Sequence, residues 1–114
     1  MSYRLIALDI DGTIRSPDYP LSERTKQTLA RVTETGAHVT LATGRMFRAA
    51  LDSTRGLALR SPIASFQGAH VADPITGEVL WHKPLKSSMT KKALCAIDPW
   101  GLEVMAYHDD QVYI

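Results

Sequence analysis

Short apolar runs alternate with helix-like segments through the first seventy residues, and this alternation limits the folds that the chain can adopt. Three runs rich in apolar and β-branched residues are separated by two segments that end at glycine, and the five elements are Tyr3–Asp9, Ser22–Thr35, Ala37–Ala42, Arg45–Arg55 and Pro62–Phe66. This order is the βαβαβ pattern of a parallel sheet with helical crossovers. The first run is almost continuously apolar, which predicts burial on both faces. We therefore predict an α/β fold with a partial Rossmann-like sheet.

The pattern changes in the second half of the chain. A hairpin is predicted over residues 69–82, a helix over Ser87–Ile97, and a second hairpin whose strands meet at His108–Asp110. We predict one domain over residues 1–82 and the start of an α+β module over residues 83–114. The chain ends on apolar residues typical of the middle of a strand, and a three-stranded parallel sheet has a bare edge. We therefore expect a fragment of a longer chain that can self-associate through the uncovered edge.

Composition excludes several classes of function. The chain has 114 residues and a net charge of +1, so no strong field attracts nucleic acid or an anionic membrane. The longest apolar runs are far shorter than the ~20 residues of a membrane helix. Cys95 is the only cysteine, and we expect it to be a buried small hydrophobe in a helix. We predict a cytoplasmic protein with no nucleic-acid or membrane partner.

Polar residues follow each of the three predicted strands. The first strand leads into Asp9–Thr13, the second into Thr43–Arg45, and the third into Gln67–Ala69. Ligands of open parallel sheets bind beyond the carboxyl ends of the strands, where these loops meet. Glycine turns present N–H groups to phosphate oxygens, and neighbouring carboxylates then require a cation such as Mg²⁺. The pattern favours phosphoryl transfer with a carboxylate nucleophile.

Simpler interpretations exist for the same residues. Asp9 and Asp11 are also compatible with an Asx turn at a strand end, and Thr43 with an ordinary helix cap. Arg45 either contacts a substrate anion or lies in solvent on the first turn of a helix. Thr13 either orients Asp11 or caps the turn.

The motifs resemble those of one enzyme family. Asp9–Thr13 reads Asp-Ile-Asp-Gly-Thr, and this is similar to the first motif of the haloacid dehalogenase-like hydrolases. Leu41–Arg45 resembles the second motif in the form seen in the Cof-like sugar-phosphatase branch, and Phe66–Leu85 resembles that branch's passage into its α/β cap. The branch usually has asparagine where this chain has Gln67. The resemblance implies a Rossmann-like core over residues 1–82 and the beginning of a cap over residues 83–114.

The resemblance also implies roles for individual residues. Asp9 would be the nucleophile that forms an aspartyl-phosphate, and Asp11 the acid and base. Mg²⁺ would bind the Asp9 side chain and the Asp11 backbone carbonyl. Phosphate-binding groups would be the Thr43 hydroxyl and the backbone around Gly12, Thr13 and Gly44, with Arg45 beside them. The implied function is the hydrolysis of small phosphorylated metabolites, with sugar phosphates as the expected class.

Two further motifs of the family, a lysine and an acidic cluster, would lie downstream of the cap and have no counterpart in these 114 residues. We therefore expect the chain alone to have little or no phosphatase activity, since an electrostatic group lost from the phosphoryl site costs ~10²–10³ in rate. A phosphomutase of the same superfamily and a non-catalytic binding module are the alternative functions. A requirement for a sugar bisphosphate would indicate the mutase.

Overall fold

A computed structural model describes residues 3–114, which divide into two compact units with the boundary between His82 and Lys83. The first unit contains, in chain order, β1 (Leu5–Leu8), α1 (Glu23–Glu34), β2 (His38–Leu41), α2 (Phe47–Ser53), β3 (Ile63–Ser65), β4 (His70–Ala72) and β5 (Val79–His82). The second unit contains α3 (Ser87–Ile97), β6 (Ala106–His108) and β7 (Gln111–Tyr113). The predicted α/β fold class is confirmed.

The sheet of the first unit is mixed. β1 and β2 are parallel with Leu5 opposite His38, as predicted. A single parallel bridge from Ala42 to Ala64 joins β2 to β3, whereas the main pairing of β3 is antiparallel with β4, and β4 pairs in turn with β5. β3 has three residues, and the tight turn at Phe66–Gly68 then reverses the chain, so the predicted parallel strand makes only one bridge.

The helices of the first unit begin for different reasons. Ser22 caps α1, because its side chain accepts a hydrogen bond from the Thr25 N–H, as predicted. The predicted start of α2 at Arg45 is wrong: the helix begins at Phe47, because the backbone of Met46 is extended. Arg45 therefore lies in a loop. Within residues 3–114, no helix combines the length and the apolar character needed to cross a membrane.

A small apolar cluster holds the first unit together. Ile10, Leu41, Ala50 and Ile63 have no exposed surface, and five partly buried apolar residues pack around them: Leu8, Ile14, Phe47, Leu51 and Leu59. The predicted burial of β1 on both faces is wrong, since Leu5 is 58% exposed. Within the described residues β1 pairs only with β2, and in and just after this strand only Leu8 and Ile10 belong to the cluster.

The second unit has regular elements without a core. α3 has the predicted bounds, and β6 and β7 form the predicted hairpin. None of the residues 83–114 is buried. The prediction that Cys95 is buried is therefore wrong: Cys95 is exposed, because α3 buries no side chain. That this unit is the beginning of a cap stays a prediction.

Candidate active site

The loop after β1 holds the two aspartates of the first motif. Ile10 is fully buried between them, while Asp9 and Asp11 are exposed. The Ile10 carbonyl accepts hydrogen bonds from three N–H groups downstream, including that of Arg15 at 3.1 Å. Gly12 has φ +75°, which a residue with a side chain rarely adopts. A buried anchor and a glycine turn thus present both carboxylates to solvent.

Two backbone amides of this loop are already paired. The Gly12 N–H donates to the Arg15 carbonyl at 2.8 Å, and the Thr13 N–H donates to the Ile10 carbonyl at 3.3 Å. Phosphate binding by Gly12 and Thr13 stays a prediction, and in this conformation it requires donors other than these two N–H groups.

The loop after β2 buries the hydroxyl of the second motif. Thr43 is 5% exposed, and its N–H donates to the Ala64 carbonyl at 3.0 Å. Its hydroxyl oxygen accepts a hydrogen bond from the Arg45 N–H at 3.2 Å. The hydroxyl hydrogen is left to donate to a ligand. This geometry suits the predicted contact with a phosphate oxygen, which itself stays a prediction.

An ion pair joins the two motifs. The Arg45 Nε lies 2.6 Å from Asp11 Oδ2, and Nη2 lies 2.8 Å from Asp11 Oδ1, so the contact is bidentate across 34 positions of sequence. The third nitrogen, Nη1, donates to the Ser53 hydroxyl at 3.1 Å. Arg45 therefore lies neither on the first turn of a helix nor free in solvent. The pair brings the loop after β1 against the loop after β2.

This ion pair sets the charge of the proposed acid and base. The hydrogen bonds from Arg45 lower the pKa of Asp11, and the positive charge of Arg15 acts in the same direction. The same contact raises the pKa of Arg45. Asp11 is thus held as a carboxylate at neutral pH, although about half of its side chain is exposed to screening by solvent.

The structure adds two residues that the motifs do not contain. Arg15 has a buried Nε with no hydrogen-bond partner within residues 3–114. Ser53 holds the Arg45 guanidinium and also donates to the Ala49 carbonyl. Arg15 lies two positions beyond the first motif, so its positive charge could have marked it in the sequence as a residue near the two aspartates. Ser53 lies on α2, eight positions from Arg45, where no pattern marks it.

The donors beside Asp9 suit a hard cation. The Asp9 carboxylate is exposed, whereas the Asp11 carboxylate is engaged by Arg45. The Asp11 backbone carbonyl accepts no hydrogen bond from the part of the chain that the structure describes. Residues 3–114 contain no group of three acidic, histidine or cysteine side chains that could hold a metal ion. One carboxylate and one carbonyl oxygen therefore fit Mg²⁺ that keeps several waters.

Comparisons with known proteins agree with the motifs. A family profile described as haloacid dehalogenase-like hydrolase matches residues 6–114. The 5-amino-6-(5-phospho-D-ribitylamino)uracil phosphatase YitU of Bacillus subtilis is 40% identical over 70 residues, which is 61% of this chain and 26% of that protein. The HMP-PP phosphatase of Shigella flexneri is 34% identical over 91 residues, which is 80% of this chain and 33% of that protein.

A solved structure shows the same fold. BT1666 of Bacteroides thetaiotaomicron, described among phosphatases of the haloalkanoate (HAD) enzyme superfamily, has a TM-score of 0.84 with this chain at 20% identity. The match covers 96% of this chain and 40% of that one. The chain thus spans a quarter to two fifths of the length of the three proteins compared.

Proposed function

Because the chain belongs to the haloacid dehalogenase-like hydrolases, we propose that it acts in the hydrolysis of phosphate monoesters of small metabolites, with Asp9 as the nucleophile. The observation that carries this proposal is the bidentate Arg45–Asp11 pair, because it brings both motif loops together beside the exposed Asp9. The relatives are named phosphatases of small phosphorylated compounds. Sugar phosphates are the substrate class that we propose.

The chemistry needs two proton transfers at one carboxylate. An Asp9 oxygen attacks phosphorus, the bond from phosphorus to the ester oxygen breaks, and protonated Asp11 gives that oxygen its proton. Water then attacks the phosphoryl group on Asp9 while Asp11 takes its proton, which releases phosphate and restores the Asp9 carboxylate. The Thr43 hydroxyl donates to a non-bridging phosphate oxygen in both steps.

The ion pair with Arg45 suits the second transfer better than the first. Asp11 in this pair is ionised and ready to take a proton from water, since Arg45 lowers its pKa. Donation to a leaving group requires the protonated acid, so the guanidinium must first leave the carboxylate. A dianionic phosphate is a competing partner for that guanidinium. We propose that substrate binding loosens the pair before the first transfer.

Mg²⁺ is the proposed cofactor, held by the Asp9 side chain and the Asp11 carbonyl. When bound, it supplies positive charge that offsets the repulsion between the phosphate and the carboxylates. A cytoplasmic location and self-association through the sheet edge stay predictions.

Phosphorylation of Asp9 tests the proposal. The chain is incubated with p-nitrophenyl phosphate and Mg²⁺, quenched in acid, and examined by mass spectrometry of the intact protein and its peptides. Because little or no turnover is expected of these 114 residues, the readout is phosphate that accumulates on Asp9 during a long incubation. We expect this phosphate to depend on Mg²⁺, to be absent in Asp9→Asn and to be unchanged in amount in Asp18→Asn. The last variant makes the same change at an exposed aspartate of the 16–20 loop.

Two outcomes would contradict this function. If the folded wild-type chain carries no phosphate on Asp9 at any Mg²⁺ concentration, Asp9 is not the nucleophile of this polypeptide. If the phosphate moves to an added sugar phosphate rather than to water, the chain is a mutase and not a hydrolase.

A further inference from the structure

The loop after β3 is bonded to the loop after β2 on both sides of Gly44. The Phe66 N–H donates to the Arg45 carbonyl at 2.9 Å, and the Gln67 N–H donates to the Thr43 carbonyl at 3.1 Å. Gln67 has φ +55° and ψ +32°, a left-handed backbone conformation that is uncommon for a residue with a side chain. These contacts hold the Gln67 backbone against the Thr43 carbonyl.

The side chain of Gln67 lies on the face of Gly44. A methyl group added to Gly44 would lie 2.4 Å from the Gln67 Nε2 and 3.1 Å from its Cδ. Gly44 is not among the glycines with positive φ, so its backbone does not require glycine. The close neighbour of Gly44 is the Gln67 amide, and a β-carbon at this position would displace that amide.

The side-chain amide of Gln67 has N–H groups that are available to a ligand. Gln67 is exposed, and its side chain makes no hydrogen bond with the residues that the structure describes. Its nitrogen is the end of the amide nearest to Gly44, the residue between Thr43 and Arg45 in the second motif. A neutral N–H donor that reaches an anion forms a charge-assisted hydrogen bond.

We propose that the Gln67 side-chain amide is a further substrate-binding group of this site, which donates a hydrogen bond to a phosphate oxygen bound over Gly44. This rests on the proposed function, since it takes the phosphate of that reaction as the ligand. Glutamine is one methylene longer than the asparagine usual in the branch, and the bare face of Gly44 gives that extra length a place to lie. The space left by the absent side chain of Gly44 therefore matches the length of the Gln67 side chain.

The test uses inorganic phosphate as the probe, with Mg²⁺ present, and the 114-residue chain. Phosphate is titrated into ¹⁵N-labelled protein, and the backbone amides of Thr43 and Gly44 and the side-chain amide of Gln67 are followed by NMR. We expect all three to shift with the same dissociation constant. Gln67→Met keeps the length and removes the donors, and we expect phosphate binding to weaken about tenfold.

A charged variant of Gln67 distinguishes a side chain that donates a hydrogen bond from one that only packs. Gln67→Glu keeps the shape of the amide but replaces its donors by a negative charge, so we expect binding to weaken by more than in Gln67→Met. The same two substitutions at Gln27, an exposed residue of α1, should leave phosphate binding unchanged. The unperturbed amide signals of Leu41 and Ile63 check that each variant keeps its core.

The outcomes distinguish this inference from the proposed function. If phosphate shifts the Thr43 and Gly44 amides while both Gln67 variants bind as the wild type does, Gln67 only packs on Gly44, and the phosphate site survives. If phosphate shifts none of the three amides, the proposed phosphate site fails and the role of Gln67 fails with it.

Discussion

The two units of this chain have equally regular helices and hairpins but differ in what those elements bury. In the first unit, Ile10, Leu41, Ala50 and Ile63 are fully enclosed. In the second, the large apolar side chains stay in contact with solvent, and Trp100 is 76% and Ile114 91% exposed. Local sequence signals are thus sufficient for regular elements in both units, whereas a core has formed in only one.

The candidate site belongs entirely to the unit with the core. Ile10 and Ile63 are buried, and the loops that carry Asp11 and Gln67 begin beside them. A side chain keeps its position in a site only while the backbone around it stays folded. Buried apolar contacts oppose local unfolding of that backbone. We therefore expect the first unit to be more resistant to local unfolding than the second.

Truncation of one buried leucine should have the largest effect. Leu41→Ala removes a fully buried side chain from the centre of the core and should lower the free energy of unfolding by about 2–5 kcal/mol. Leu94→Ala makes the same change on α3, where the side chain is 42% exposed, and should cost no more than about 0.5 kcal/mol. Native-state hydrogen exchange measures both, because it reports on each unit separately. Equal effects of the two substitutions would show that α3 has a core of its own.

The caps of the two long helices offer a smaller contrast. Ser22 accepts a hydrogen bond at the start of α1, whereas Lys86 at the corresponding position of α3 makes no side-chain cap bond. Ser22→Ala should destabilise α1 by about 1 kcal/mol, and Lys86→Ser should stabilise α3 by a similar or smaller amount. Hydrogen exchange at Thr25 and Met89, the N–H groups at these caps, measures the two effects. Slower exchange at Met89 is expected only if α3 opens from its N-terminus.

Sequence patterns predicted the local features better than the buried ones. The Ser22 cap and the bounds of α3 follow from residues that are adjacent in sequence, and both predictions are confirmed. Burial depends on what packs against an element from elsewhere in the chain, so the predictions for β1 and Cys95 are wrong. The Arg45–Asp11 pair likewise joins residues 34 positions apart, and no local pattern encodes that contact.

Ion pairs give the next contrast, and its size depends on pH. Arg45 lowers the pKa of Asp11 in the folded state, so the pair stabilises the fold above the unfolded-state pKa and loses this effect as the pH falls through the folded-state value. Asp11→Asn should cost about 0.2–1 kcal/mol at pH 7, because half of the Asp11 side chain is exposed, and nothing in strong acid. Asp109→Asn breaks the exposed contact with His108 in the second unit and should have no measurable effect at either pH. Urea unfolding at pH 7 and at a series of lower pH values checks both, and a loss that does not shrink as the pH falls would mean that the Asp11→Asn substitution disturbs the loop itself.

The smallest effect is expected at the turn between β6 and β7, where the second unit depends most on local chemistry. Asp109 and Asp110 both have positive φ, at 47° and 56°, which is the geometry of a type I′ hairpin turn and favours glycine at the second position. Asp110→Gly should relieve backbone strain and stabilise the hairpin by about 0.5 kcal/mol, after the added flexibility of the unfolded chain is subtracted. Asp110→Ala should do the opposite, since alanine keeps the strain and cannot form the local hydrogen bonds of aspartate. Cross-strand NMR contacts between Tyr107 and Val112 measure the population of the hairpin. Because no residue of this unit is buried, a gain at the turn should appear in full at this pair; if both substitutions leave the contacts unchanged, something other than the turn holds the hairpin together.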